Sequence, residues 1–303
     1  MKVLITGATG LIGKEIVNQL IEKKITVHYL STQKDKLKNE TFYKGFFWDI
    51  NSQIIDKQAF EGISHIIHLA GARISKRWTK TYKKEIIESR ILYTQLLFDF
   101  LKNNSNEVKH ITFASAIGIY KSDYSHLYSE NEILFSNSFL SEVVQKWENV
   151  TEQFKLLNLQ LCTIRIGLVM SRNGGIFPQI IAPIKYGLGA IMGNGEQWQS
   201  WIYINDLARI FVCSLEKNLI GIYNGVAPNP INNKEMTKIL AKTIKKPLFL
   251  PNIPQFMMKI ILGEMHHLLF ESQKVNSKKI IDAGFEFEFT DFEDVAKELL
   301  KVK

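Results

Sequence analysis

Gly7, Gly10 and Gly13 stand three residues apart, directly after the apolar run Val3-Leu4-Ile5 and Thr6. A strand that runs into glycines and opens a helix turns bare backbone N–H groups and the positive end of the helix toward an anion. A pyrophosphate fits that arrangement. Each glycine has its own task. Gly7 permits the tight turn, Gly10 lets the main chain approach the phosphates, and Gly13 lets the helix pack on the strand. The cradle comprises Gly7, Thr9, Gly10, Leu11, Ile12 and Gly13, and it predicts a bound dinucleotide.

Such a cradle works only inside a strand–helix–strand unit. Apolar residues at Ile12, Ile16, Val17, Leu20 and Ile21 follow the helical period. A second strand, Ile25 to Leu30, comes next. Its end helps to choose the cofactor. An acid there would bond the ribose 2′-hydroxyl and repel a 2′-phosphate. The chain instead continues Ser31-Thr32-Gln33-Lys34-Asp35-Lys36, so hydroxyls such as Thr32 and a lysine at 34 or 36 favour NADP over NAD. A solvated basic loop is the plainer reading.

The remaining pattern alternates strands with helices and predicts an α/β fold, a doubly wound parallel sheet with a smaller mixed lobe. The strand from Ser64 to Leu69 ends in Ala70-Gly71-Ala72, small residues that suit a backbone passing close to a cofactor. His68 lies within that strand and reads as structural. Lys109 to Ala116 is a fifth strand, Phe139 to about Leu157 a helix, and Leu161 to Val169 a sixth strand. Glycines and prolines punctuate residues 174–195, which assigns them to a substrate lobe. Asp206 reads as a helix N-cap. The division is residues 1–167 with 205–226 for the nucleotide-binding domain, and 168–204 with 227–303 for the lobe.

Composition narrows the function classes. The net charge of +8 comes without an aromatic-interleaved basic stripe, so no nucleic-acid partner is expected. No apolar run reaches the length of a membrane span, and no membrane partner is expected. No metal-ligand cluster stands out. Cys162 and Cys213 lie in apolar segments and read as buried thiols of a cytoplasmic protein, and the immediate entry into a strand leaves no room for a signal peptide.

The spacing Gly-x-x-Gly-x-x-Gly resembles the short-chain dehydrogenase/reductase superfamily, in particular its extended, epimerase-like members. Four stretches resemble the atypical branch of that group: Arg73 to Trp78 with Ser89-Arg90, Phe139 with Trp147-Glu148, Arg165 to Asp206, and Leu262 to Met265 with Ala283-Gly284-Phe285. The resemblance spans nearly the whole chain and implies a small C-terminal domain. It implies that Asp49 faces the adenine, that Leu69, Ala70 and Gly71 line the cofactor, that Arg90 faces it, and that Ser115 bonds the substrate oxygen. It also allows a homodimer through two helices of the nucleotide domain.

Superfamily enzymes use a Tyr with a Lys four residues later. The lysine lowers the phenol pKa from about 10 and makes it a usable acid or base. No Tyr in this chain has a Lys at that spacing, and Phe139 and Val143 occupy the two positions. Ser115 and Tyr120 remain as catalytic candidates, with Glu142 as a carboxylate alternative and Arg77 to orient a substrate. Two readings follow: an NADP-dependent, epimerase-like oxidoreductase with another proton donor and no assigned substrate, or a non-catalytic protein that binds the nicotinamide cofactor as a regulator or scaffold.

Overall fold

The computed structural model describes residues 1–301 apart from 133. Seven strands run parallel in one twisted sheet: β1 (Lys2–Thr6), β2 (Thr26–Ser31), β3 (Tyr43–Asp49), β4 (His65–His68), β5 (His110–Ala116), β6 (Gln160–Ile166) and, after two strands elsewhere, β9 (Gly221–Gly225). The spatial order is β9-β6-β5-β4-β1-β2-β3, with the two-residue strand Asn39–Glu40 completing the edge. The order reverses at β1, and the crevice above the carboxyl ends of β1 and β4 is where such sheets bind ligands.

Side-chain alternation covers both faces. Val3 and Ile5 point into one core with Ile16, Val17 and Leu20 of α1 (Leu11–Glu22) and Ile210 and Phe211 of α5 (Ile204–Glu216). Leu4, Ile66, Ile111 and Phe113 point the other way, onto Leu97, Phe98 and Leu101 of α2 (Lys80–Asn103). α3 (Phe139–Glu152) packs beside α2. Interior strands apolar on both faces are what a sheet buried between two helical layers requires.

The sixth predicted strand is broken. Its first part is β6, and the chain then leaves the sheet at Gly167, where an added Cβ would fall 2.3 Å from the Ser200 carbonyl oxygen. β7 (Leu168–Ser171) instead pairs with β8 (Trp201–Tyr203) in a separate small sheet. Around that sheet, α4 (Phe177–Lys185), α6 (Asn233–Thr243) and α10 (Phe292–Leu300) build a second core on Phe177, Ile181, Trp201, Leu240 and Phe292. Between α6 and α10 come α7 (Gln255–Leu262), α8 (His267–Phe270) and α9 (Lys278–Asp282). Ile280 and Phe285 pack back into the main core, so the C-terminal segment straddles both parts.

Asp206 is not a helix cap. Tyr203 holds the cap position of α5, and Asp206 sits fully buried in the first turn. Its carboxylate accepts the backbone N–H groups of Glu288 (2.9 Å) and Phe289 (3.1 Å) and pairs with Arg209 (2.8 Å). It pins the C-terminal segment to the sheet domain, a long-range role that local spacing does not reveal. Both cysteines are buried and free, and burial pushes the Cys162 thiol up to about 12.

Candidate functional site: a dinucleotide cradle above the sheet

Gly7 adopts φ +74°, a left-handed conformation that glycine takes without strain. A Cβ there would stand 3.1 Å from the Leu69 carbonyl, so the β1 turn presses on the loop after β4. At Gly13 a Cβ would be 2.3 Å from the Gly7 oxygen and 2.7 Å from Ala8 Cα, both backbone atoms that no rotamer change relieves. Gly10 is the cap residue of α1. It makes no side-chain bond, and no acid occupies the first turn. The first helical bond runs from Lys14 N–H to Gly10 (3.0 Å), leaving the N–H groups of Leu11, Ile12 and Gly13 outside the helical ladder. Three free donors and the positive helix end make an anion site that fits a pyrophosphate.

The loop after β4 is held by a chain of hydrogen bonds whose proton count fixes the histidine tautomer. Thr6 Oγ1 accepts the N–H groups of Leu69 and Ala70, each at 3.1 Å. Its own proton therefore goes to His68 Nδ1 (2.9 Å). His68 Nε2–H then donates to Thr94 (3.0 Å), and Thr94 donates to the Arg90 carbonyl (2.6 Å). His68 is fully buried and stays neutral, its pKa lowered to about 3 by desolvation. As read from the sequence, it is a structural residue. It locks Leu69 and Ala70 beside the cradle.

Gly71 borders Arg90, with a Cβ position 3.3 Å from Arg90 Cγ. The Arg90 guanidinium lies 4.9 Å from the Trp147 ring centre and donates to the Ile86 carbonyl (2.9 Å). Burial lowers its pKa to about 10, which leaves it charged near neutrality. Its neighbour Ser89 accepts the N–H of Ala72 (2.9 Å), so the Ser89-Arg90 pair shapes the loop from two sides.

At the end of β2, Ser31 Oγ accepts the Gln33 N–H (3.1 Å). Thr32 is exposed, and Lys34 lies over the Phe47 ring at 4.7 Å. Asp49 ends β3, and its carboxylate is engaged by Asn51 N–H (3.1 Å) and by the hydroxyl (2.6 Å) and N–H (3.3 Å) of Ser52. The Ser52 hydroxyl bond holds its pKa below the usual value. In this structure Asp49 braces its own turn.

Ser115 and Tyr120 belong to one buried polar network. Ser115 donates to Glu148 on α3 (2.5 Å), and Arg165 on β6 pairs with both Glu148 oxygens at 2.8 Å. Arg165 also donates to the Tyr120 hydroxyl (3.0 Å), which in turn donates to Asn224 Oδ1 (2.8 Å). Tyr120 is fully buried, and desolvation raises its pKa. Its single proton is committed, as is that of Ser115. Neither hydroxyl has a proton to offer a substrate in this arrangement. Glu142, the carboxylate alternative, is exposed and pairs with Lys146 (2.7 Å).

An apolar cluster lies beside α3. Trp78, Ile86 and Val143 pack with Phe139, Leu140, Met265 and Leu268. Lys83 lies over the Phe139 ring at 4.4 Å and pairs with Glu264 (2.6 Å), tying α2 to the C-terminal region. Arg73, Lys76 and Arg77 are exposed on the loop that leads into α2. One residue escaped sequence reasoning. Glu271, just after α8, lies beside Ser138, the cap residue of α3, and burial raises its carboxyl to about 7. Nothing in the run Phe270-Glu271-Ser272 marks it, because the contact joins residues more than a hundred positions apart.

Residues 3–224 match the NAD dependent epimerase/dehydratase family, and residues 253–299 match a domain of unknown function, DUF1731. An epimerase family protein of Staphylococcus saprophyticus is 33% identical over 298 residues, covering 98% of each chain. One from Staphylococcus aureus is 34% identical over 301 residues, again covering 98% of each. Among solved structures, human epimerase family protein SDR39U1 with NADPH is similar at TM-score 0.84 and 27% identity, covering 99% of both chains. A UDP-glucuronic acid 4-epimerase of Bacillus cereus, in complex with UDP-glucuronic acid and NAD, shares the fold at TM-score 0.75 and 19% identity, over 98% of this chain and 97% of that one. With its glycine cradle, its doubly wound sheet and its added C-terminal domain, this chain belongs to the NAD dependent epimerase/dehydratase family, as an atypical extended short-chain dehydrogenase/reductase.

Proposed function

We propose that this protein binds NADP(H) at the cradle and acts as an epimerase-like oxidoreductase on a carbonyl substrate that carries an anionic group. The observation that carries the reading is the uncapped, acid-free N-terminus of α1 behind Gly7 and Gly10. The preference for NADP rests on the strand end at Thr32, where hydroxyls and Lys34 stand in place of an acid. The similar human structure is described with NADPH, which supports the same choice. Arg73, Lys76 and Arg77, exposed on the loop that leads into Trp78 and α2, suit a substrate with a negative group. Glu271, half-buried beside the Ser138 cap of α3, is the group suited to move a proton, since a carboxyl with a pKa of about 7 serves as acid or base near neutrality. The two free, buried thiols support a reducing, cytoplasmic compartment.

A specific observation favours a second reading. The committed hydroxyls of Ser115 and Tyr120 suit a protein that binds the cofactor and reads the nicotinamide pool without turnover. Two measurements decide. Calorimetry with NADPH and NADH gives the cofactor preference, and tighter NADH binding overturns the NADP assignment. Absorbance of the reduced nicotinamide is then followed against a panel of acidic aldehydes and ketones. Turnover that disappears in Glu271→Gln while NADPH affinity stays unchanged supports the enzyme. NADPH binding with no turnover on any of the panel supports the regulator.

A further inference from the structure

α7 has no buried residue although six of its eight side chains are apolar: Phe256, Met257, Met258, Ile260, Ile261 and Leu262. Beside its start, Ile253 donates to Ile191 (2.8 Å) and accepts from Gly193 (2.9 Å), which joins the strip before α7 to the turn after α4. Tyr186 and Leu188 on that turn, Phe249 on the strip, and Phe256, Ile260 and Ile261 on α7 are 59–83% exposed. Single exposed apolar residues need no explanation, but this many on linked segments mark an interaction surface.

Charge identifies the partner. Residues 173–195 and 236–263, which carry this surface, contain no Asp or Glu and six Lys, although acids make up 30 of the 303 residues. Lys185 precedes Tyr186, Lys245 and Lys246 precede Leu248, and Lys259 lies within α7. All four are exposed, and among the described residues none forms an ion pair. A second copy of the chain would bring the same lysines face to face, which a self-complementary interface disfavours. An anionic lipid surface accepts both the lysines and the apolar side chains between them. We propose that this face docks the protein on an anionic phospholipid bilayer, with α7 lying in the interface. No helix of the described residues is long and apolar enough to cross a membrane, and the earlier expectation of no membrane partner rested on run length, which tests spanning and not surface binding.

The test is co-sedimentation of the full chain with vesicles of phosphatidylcholine alone and with added phosphatidylglycerol. Binding is expected only to the anionic vesicles and is expected to weaken with salt. The double variant Ile260→Glu/Ile261→Glu should lower partitioning about tenfold or more. Lys245→Ala and Lys246→Ala should each lower it about fivefold. All four side chains are exposed, and an unchanged melting temperature checks that the variants remain folded. Failure to bind anionic vesicles overturns the proposal. So does a dimer in sedimentation velocity that the isoleucine variant converts to monomer without any vesicle binding, which would assign the face to a second copy. Neither readout depends on the cofactor, so the result is independent of the proposed enzymatic role.

Discussion

The Glu148–Arg165 pair offers the sharpest test of how the site is held. The Arg165 side chain is 3% exposed and that of Glu148 17%. Glu148→Gln keeps the shape but removes the charge, and it sets an amide N–H₂ against one of the two guanidinium donors. Breaking a buried pair from one side costs about 3–5 kcal/mol, because the remaining charge stays buried without its counter-ion. At about 2 °C per kcal/mol for a chain of this size, the melting temperature should fall by about 6–10 °C. Arg165→Met should cost less, because the carboxylate left behind is within reach of water. The double variant Glu148→Gln/Arg165→Met removes both charges. It should recover most of the loss, giving a coupling of at least about 2 kcal/mol. Thermal and urea unfolding of the four proteins measure this. Costs that add in the double variant to within about 0.5 kcal/mol would refute the idea that the two side chains act as one unit.

Three further predictions concern the cradle and its surroundings. Gly13→Ala drives a methyl onto the Gly7 oxygen and Ala8 Cα, and the overpacking should cost about 1–3 kcal/mol and abolish NADPH heats in calorimetry. Unchanged binding would remove the cradle from the cofactor site. Lys34→Ala should weaken NADPH binding by about threefold to tenfold through loss of one charge-assisted contact to the 2′-phosphate, with NADH affinity unaffected. Equal weakening for both cofactors would place Lys34 elsewhere. Glu271 has its pKa raised from 4.5 to about 7 by burial. The folded state therefore binds more protons than the unfolded state between these values, and stability should fall as pH rises through that window. Glu271→Gln should flatten this slope in pH-dependent unfolding, and an unaltered slope would show that the carboxyl titrates normally.

The backbone geometry legible in the sequence was that set by local chemistry. Gly7, Gly10 and Gly13 act within one turn, so their spacing after an apolar strand carries the geometry with it. His68 was legible as structural because it interrupts an apolar strand. Asp206 was misplaced as a cap because the N–H groups it accepts, from Glu288 and Phe289, lie more than eighty residues away. The predicted strand at 161–169 splits at Gly167 for a similar reason: the Ser200 oxygen that leaves no room for a Cβ there comes from a segment distant along the chain.

By itself the sequence determined the α/β alternation, the glycine turn after β1 and the absence of any Tyr with a Lys four residues on. Each depends on residue type and short spacing, which the chain carries into any environment. Only the tertiary structure decided which hydroxyls are free. Ser115 and Tyr120 stand near the right strand end in the sequence, but folding brings Glu148, Arg165 and Asn224 onto them and commits their protons. It likewise half-buried Glu271 beside Ser138 and left α7 uncovered. Burial and long-range hydrogen bonding set a group's pKa and availability, and both arise from neighbours that are distant along the chain.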